Sequence, residues 1–138
     1  HRQGLATHHR SVAASGDLGR LAEARVDVLL APSTSAAERA AVIETMAAID
    51  PAAYRTGAEA VWLADQRERA RRIDVPTLVL VGDLDPVTPP ALSEQLAALI
   101  PGSTLKVIAG ASHIANLDKP VEFNSAVASF ISGVEQKA

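Results

Sequence analysis

The chain has 138 residues, of which 48% are hydrophobic and 21% charged, and its formal net charge is −3. This length and composition fit one domain with its own apolar core and exclude wholesale disorder. The absence of cysteine excludes disulfides, zinc–thiolate sites and a cysteine nucleophile. The densest basic cluster, residues 67–72, is interrupted by Glu68 and Ala70, which favours a solvated helix face and argues against nucleic acid as a partner.

The first half of the chain, residues 1–72, is rich in alanine and carries apolar residues at helical spacing. Residues 18–30 are typical of one helix, and Pro32 ends that stretch. Ser35 and Glu38 have the spacing of a capping box, which predicts a helix over residues 36–49. The apolar faces are modest, so we expect these helices to cover another part of the protein and not to form a free-standing bundle.

A further helix is predicted after Asp50, which suits an N-cap, and Pro51, which suits the first helical position. This helix carries Tyr54 and Trp62, and a short polar helix follows over residues 65–71. Two interpretations of Trp62 stay open. It is a candidate substrate-binding residue that lines a pocket, whereas anchoring the helix in a core is the commoner role of such a side chain.

The second half, residues 73–138, alternates strand and helix patterns. Residues 77–81 form a continuous apolar run, which is typical of a strand covered on both faces. A helix follows over residues 88–100, then a second strand over residues 105–108, and a last helix opens at Pro120. This order predicts an α/β fold in which the two strands are parallel and a helix forms the crossover between them.

The candidate catalytic residues come directly after the two predicted strands. Asp83 and Asp85 follow the first strand, and His113 follows the second. Active sites of open parallel sheets lie beyond the carboxyl ends of the strands, so both loops occupy the expected place. An imidazole that relays a proton needs a carboxylate to orient it, and an Asp–His pair supplies both groups. An Asp in such a loop is otherwise a common turn former, and a single His is commonly a surface residue.

These segments resemble the α/β-hydrolase family. Residues 75–89 are similar to its seventh strand and acid loop, residues 110–113 to its histidine loop, and residues 118–123 to the start of its last helix. In the family the acid lies three residues after the glycine that ends the strand. The resemblance therefore implies that Asp85 is the triad acid, Asp83 a turn residue and His113 the triad base, in the family order Ser, Asp, His.

A narrower resemblance concerns the substrate. Residues 112–120, with Asp50–Tyr54 and residues 64–73, are similar to segments of 3-oxoadipate enol-lactonases. The resemblance implies hydrolysis of a small carboxylic ester or lactone, with an enol-lactone of aromatic catabolism as the specific candidate. It implies neither a metal nor an organic cofactor.

The nucleophile of the family is absent from these 138 residues, because no G-x-S-x-G occurs among them. Ser112 adjoins His113 on the same loop and is expected to be a structural hydroxyl. By the family order the chain begins after the sixth strand, so we expect residues 1–72 to form a cap and residues 73–138 to be the C-terminal part of an incomplete core. The first strand would then have an open edge, which predicts self-association or pairing with a missing N-terminal half.

Two alternatives accompany this interpretation. In the first, the chain is a catalytically inactive, truncated hydrolase that self-associates or binds a partner. In the second, the same fold carries the chemistry of a dehalogenase, a lyase or a cofactor-free dioxygenase.

Residues 1–10 lack the apolar core of a signal peptide, and no apolar run reaches membrane-spanning length. Together with the missing cysteines, this favours a cytoplasmic protein without a membrane partner.

Overall fold

The computed structural model describes residues 17–136, except for the side chain of Trp62. These residues form two compact units, residues 17–26 with 35–65 and residues 27–34 with 66–136. The elements in chain order are α1 (Leu18–Leu29), α2 (Ala36–Ala47), α3 (Pro51–Leu63), α4 (Arg67–Ala70), β1 (Leu78–Gly82), α5 (Pro90–Leu99), β2 (Thr104–Ile108), α6 (Ala115–Asp118) and α7 (Pro120–Glu135). The role of residues 1–72 as a cap over residues 73–138 stays a prediction.

The first unit consists of helices whose starts follow from their sequences. At α2 the Glu38 amide donates to Ser35 Oγ at 3.2 Å and the Ser35 amide donates to Glu38 Oε2 at 3.1 Å, which confirms the predicted capping box. At α3 the Ala53 amide donates to Asp50 Oδ1 at 2.8 Å, and Pro51 occupies the first turn. The apolar side chain of Val61 on α3 is 73% exposed.

The second unit is built on a parallel pair of strands. Within the described residues the sheet has the order β1-β2, and its register pairs Leu78 with Thr104 and Gly82 with Ile108. The α/β architecture and the parallel strands predicted from the sequence are therefore confirmed. Val79 and Val81 are buried on one face of β1, while Leu78 and Leu80 are half-buried on the other. A strand with apolar residues on both faces normally lies inside a larger sheet.

A buried hydrophobic cluster of the second unit includes a residue of the histidine loop. Ile108, Ala111 and Ala115 are buried together, and Leu80, Phe123 and Ala126 pack against them. Phe123 lies on α7, and its packing against this cluster holds the helix against the sheet. Ile131, nearer the end of α7, is 49% exposed.

Candidate active site

The two candidate loops leave the sheet side by side. Gly82 at the end of β1 pairs with Ile108 at the end of β2. Beyond the strands, the Asp83 amide donates to the Ile108 carbonyl at 3.1 Å and the Leu84 amide donates to the Ala111 carbonyl at 2.9 Å. The ladder of backbone hydrogen bonds therefore extends past the strands and fixes one loop against the other.

The contact between the loops requires glycine at position 82. A Cβ atom built there would lie 2.2 Å from the Ala111 carbonyl oxygen and 2.4 Å from the Ser112 carbonyl oxygen. Both atoms belong to the backbone, so neither can rotate away. The histidine loop thus lies directly on the bare Cα of Gly82, which brings His113 within reach of the acid loop.

Asp83 forms a second link between the loops. Its Oδ1 accepts a hydrogen bond from the Gly110 amide at 2.7 Å. Gly110 has φ +71°, a left-handed conformation that glycine adopts without strain. We expected Asp83 to be a turn residue only, and its bond across 27 positions of sequence is one that local patterns do not reveal.

The Asp85 carboxylate is buried, with 6% of the residue exposed, and both of its oxygens accept hydrogen bonds. Oδ1 accepts from the Val87 amide at 2.8 Å and from the Thr88 amide at 3.0 Å. Oδ2 accepts from the Thr88 hydroxyl at 2.7 Å and lies 3.0 Å from Nδ1 of His113. The loop after β1 therefore wraps around the carboxylate and presents one oxygen to the imidazole.

Two opposing effects act on the pKa of Asp85. Burial disfavours the charged form and by itself raises the pKa, whereas the hydrogen bonds from His113, Thr88 and Val87 favour the carboxylate. The hydrogen bonds prevail, so the pKa of Asp85 lies below its ordinary value of 3.8. Asp85 is therefore a charged acceptor at neutral pH.

His113 combines a fixed end with an accessible one. Its Nδ1 meets Oδ2 of Asp85, and the Thr88 hydroxyl lies 3.3 Å from the same nitrogen. The His113 side chain is 34% exposed, against 4% for that of Asp85. Because a carboxylate only accepts hydrogen bonds, it selects the tautomer with the proton on Nδ1 and leaves the lone pair on Nε2. The geometry brings together the acid and base candidates that the sequence indicated.

The other candidates do not join this pair. Ser112 is buried, and its hydroxyl donates to the Val28 carbonyl at 3.3 Å, as expected for a structural hydroxyl. The predicted substrate-binding residue Trp62 lies on α3, but its side chain is outside the described part of the chain.

Among residues 17–136, no cluster of His, Asp and Glu has the arrangement of a metal site. The helices in that range are also too short or too polar to cross a membrane.

The lowered pKa of Asp85 predicts how stability depends on pH. A carboxylate with a lower pKa in the folded than in the unfolded state contributes stability that is present above the unfolded value and disappears as the pH falls through the folded one. As the pH falls from about 5 to below 3.8, the ordinary pKa of an aspartate, we expect the free energy of unfolding to fall more steeply in the wild type than in Asp85→Asn. Urea unfolding at several pH values measures this difference.

The matched control for this pH dependence is Asp74→Asn, which removes an exposed carboxylate of the same unit. The control is expected to keep the wild-type slope. Equal slopes for wild type and Asp85→Asn would contradict the role of the buried carboxylate.

The sequence was compared with family profiles and with the sequences of known proteins. The profile of the alpha/beta hydrolase fold matches residues 11–120. Over 74 residues, 54% of this chain and 27% of the relative, the chain is 45% identical to 3-oxoadipate enol-lactonase 2 of Acinetobacter baylyi. Over 84 residues, 61% of this chain and 27% of the relative, it is 34% identical to a pimeloyl-[acyl-carrier protein] methyl ester esterase of Neisseria meningitidis.

Solved structures give the same result for the fold. The enol-lactonase from Burkholderia xenovorans matches with a TM-score of 0.82 and 26% identity over 91% of this chain and 49% of its own. A thermophilic esterase from Thermogutta terrifontis matches with the same TM-score and identity over 93% and 50%. The chain therefore spans about half the length of these solved chains, and it matches about a quarter of the two curated relatives. With the family profile matching 110 of its 138 residues, the chain belongs to the alpha/beta hydrolase fold family.

Proposed function

We propose that this chain carries the acid and the base of a serine-hydrolase triad, Asp85 and His113, which act on a small carboxylic ester or lactone. The observation that carries the proposal is the 3.0 Å contact between His113 Nδ1 and Oδ2 of the buried Asp85. The pair lies beyond the carboxyl ends of two parallel strands, where catalytic groups of such sheets are found.

The proposed chemistry follows from the tautomer of His113. With its proton on Nδ1, the ring accepts the proton of an attacking serine hydroxyl at Nε2, while the serine oxygen bonds to the carbonyl carbon of the substrate. His113 then gives this proton to the leaving alkoxide, and an acyl-enzyme remains. In the second half of the reaction His113 takes a proton from water, which attacks the acyl carbon, and returns the proton to the serine oxygen. The negative Asp85 stabilises the imidazolium that forms in each half.

The serine must come from residues other than these 138, because the nucleophile elbow motif is absent from them. The free edge of β1 is the proposed place for the rest of the fold. In the described residues β2 is the sole strand bonded to β1, and the apolar side chains on both faces of β1 suit an interior strand. A strand added along this edge would continue the sheet beside Gly82 and the acid loop.

For the substrate we propose a lactone, with 3-oxoadipate enol-lactone as the specific candidate. The support is the 45% identity to one enol-lactonase of Acinetobacter baylyi, together with the similarity of residues 112–120 to that group. The esterases among the relatives support the broader class of carboxylic esters.

A chimera tests this function. Residues 17–136 of this chain replace the matched part of the Burkholderia xenovorans enol-lactonase, so that the remaining half supplies the rest of the fold. We expect this chimera, called the hydrolase chimera below, to hydrolyse p-nitrophenyl acetate and the enol-lactone. His113→Ala is expected to lower its kcat by ~10⁴-fold or more, because the serine then has no base.

The control for the chimera is Asp74→Asn, an exposed substitution that should leave kcat and KM within a few-fold of the parent. Circular dichroism and thermal unfolding establish that each protein is folded. A folded chimera that hydrolyses neither substrate, or that keeps its activity in His113→Ala, would refute the proposed function.

The free edge of β1 also favours a second candidate function, a truncated hydrolase that self-associates without turnover. This alternative predicts that the 138-residue chain is a stable oligomer in solution and that the folded hydrolase chimera shows no esterase activity. Light scattering coupled to size-exclusion chromatography, together with the chimera assay, separates the two candidates.

A further inference from the structure

Asp118, at the end of α6, accepts hydrogen bonds from two separate segments of the second unit. Its Oδ2 accepts from the Ser112 amide at 2.6 Å. Its Oδ1 accepts from the Ala31 amide at 3.0 Å and from the Thr34 hydroxyl. One carboxylate thus connects the histidine loop to the segment of residues 27–34, which lies more than 80 positions earlier in the chain.

The same segment also bonds to both neighbours of His113 directly. The Ile114 amide donates to the Leu29 carbonyl at 3.0 Å. The Ser112 hydroxyl donates to the Val28 carbonyl at 3.3 Å. The residues before and after His113 are therefore each held by residues 28–29. Asp118 completes this hydrogen-bond network by holding Ser112 and residues 31–34 together.

We propose that Asp118 is a positioning residue for His113, an inference that rests on the proposed role of His113 as the base. The side chain of His113 meets Asp85 at one nitrogen, so the direction of the ring depends on where the main chain of residues 112–114 lies. That main chain is held by Gly82 underneath, by Asp83 through Gly110, and by Asp118 through Ser112. It is also held directly by the carbonyls of Val28 and Leu29. Of these groups, Asp118 alone connects the loop to residues 31–34.

A carboxylate is the suitable group for this task because both of its oxygens accept and neither donates. Asparagine offers one acceptor oxygen and one NH₂ group. In either orientation Asp118→Asn would place the NH₂ group against the Ser112 amide or against the Ala31 amide, and two donors facing each other repel. The substitution keeps the size of the side chain and breaks the hydrogen bond to one of these two amides.

The test measures the tautomer of His113 in the 138-residue chain, labelled with ¹⁵N-histidine. Long-range ¹H–¹⁵N correlation distinguishes a ring with its proton on Nδ1 from one with its proton on Nε2, and His113→Gln assigns the signal. The wild type is expected to show the Nδ1–H form at a pH where the ring is neutral. Asp118→Asn is expected to shift the signal toward the Nε2–H form, and Asp118→Glu, which restores a carboxylate, to bring it back.

A purely structural role would give a different result. If Asp118→Asn lowers the urea midpoint but leaves His113 in the Nδ1–H form, the inference is wrong. Should Asp118→Asn fail to fold, Thr34→Val removes a single donor to the same carboxylate and is expected to shift the tautomer in the same direction to a smaller extent. A folded Thr34→Val with the wild-type signal then overturns the inference, and Asp74→Asn serves as the unchanged control.

The hydrolase chimera separates this inference from the proposed function. There Asp118→Asn is expected to lower kcat by ~10²-fold, as for a displacement of about 1 Å, with KM little changed. If the tautomer shifts in Asp118→Asn while the parent chimera has no activity, the positioning role stands and the proposed function fails. If the parent chimera is active and Asp118→Asn changes neither kcat nor the tautomer, the proposed function stands and the positioning role fails.

Discussion

Asp85→Asn is expected to lower kcat of the hydrolase chimera by ~10⁴-fold, although asparagine has nearly the same size and shape as aspartate. The magnitude is that of a triad whose base is held in the wrong tautomer. Because the described side-chain hydrogen bonds of His113 are those with Asp85 and Thr88, its tautomer depends directly on what this loop presents to Nδ1.

The hydrogen bonds of Asp85 determine how the asparagine would be oriented. The position of Oδ1 faces the amides of Val87 and Thr88, so only the carbonyl oxygen of asparagine can occupy it. The NH₂ group must then occupy the position of Oδ2, facing Nδ1 of His113. Nδ1 would have to accept a hydrogen bond, which moves the ring proton to Nε2. A ring protonated at Nε2 cannot take a proton from serine.

Steady-state kinetics of the hydrolase chimera and the ¹⁵N spectrum of the 138-residue chain test this expectation together. The matched control is Asp83→Asn, two positions away, where the amide oxygen can still accept from the Gly110 amide. We expect this control to keep kcat within about tenfold of the parent, since its hydrogen bond is retained. The interpretation fails if Asp85→Asn keeps high activity, or if it loses activity while His113 remains protonated on Nδ1.

The elements that carry Asp85 and His113 could be predicted from the sequence because their patterns are local. The run of residues 78–81 is apolar at every position, and the capping residues of α2 and α3 are separated from their partners by three positions. Such signals depend on neighbouring residues only. The strands were therefore found within one residue of their observed ends, and the parallel pairing followed from the order of the elements.

The links that hold the two loops together could not be predicted in this way. Asp118 looks like the ordinary start of a final helix, yet its partners Ala31 and Thr34 lie more than 80 positions away. Asp83 looks like a turn former, yet it accepts from Gly110. Nothing in the local sequence distinguishes a carboxylate that faces water from one that faces distant amides. The family resemblance selected Asp85 over Asp83, whereas spacing from the strand alone did not.

Gly82→Ala is the substitution expected to disturb the protein most without removing a functional group. The added Cβ would lie 2.2 Å from the Ala111 carbonyl oxygen, 2.4 Å from that of Ser112 and 2.5 Å from the Ala111 carbonyl carbon. All three atoms are backbone, so the clash is relieved only if the histidine loop moves away from β1. Overpacking of this kind costs about 1–3 kcal/mol in the free energy of unfolding, and this site should lie at the upper end of that range.

Movement of the histidine loop would also displace His113, because His113 follows Ser112 directly in the chain. The Leu84 amide would lose its bond to the Ala111 carbonyl, and Nδ1 of His113 would be drawn away from Oδ2 of Asp85. In the hydrolase chimera we therefore expect kcat to fall by ~10²-fold as well. We expect His113→Ala and Asp85→Asn to lower kcat more than Gly82→Ala does. A displaced imidazole still reaches its catalytic position part of the time, whereas an absent imidazole or one in the wrong tautomer cannot accept the proton.

Gly133→Ala is the matched control for Gly82→Ala. A Cβ at position 133 meets nothing within 4 Å, and Gly133 lies within α7. Alanine there should raise the free energy of unfolding by up to ~1 kcal/mol, because glycine is the poorer helix former. Urea unfolding at two protein concentrations measures both variants and reveals any contribution from association. Equal stabilities of the two variants would mean that the histidine loop does not lie on the Cα of Gly82, and the close approach that unites Asp85 with His113 would have to be abandoned.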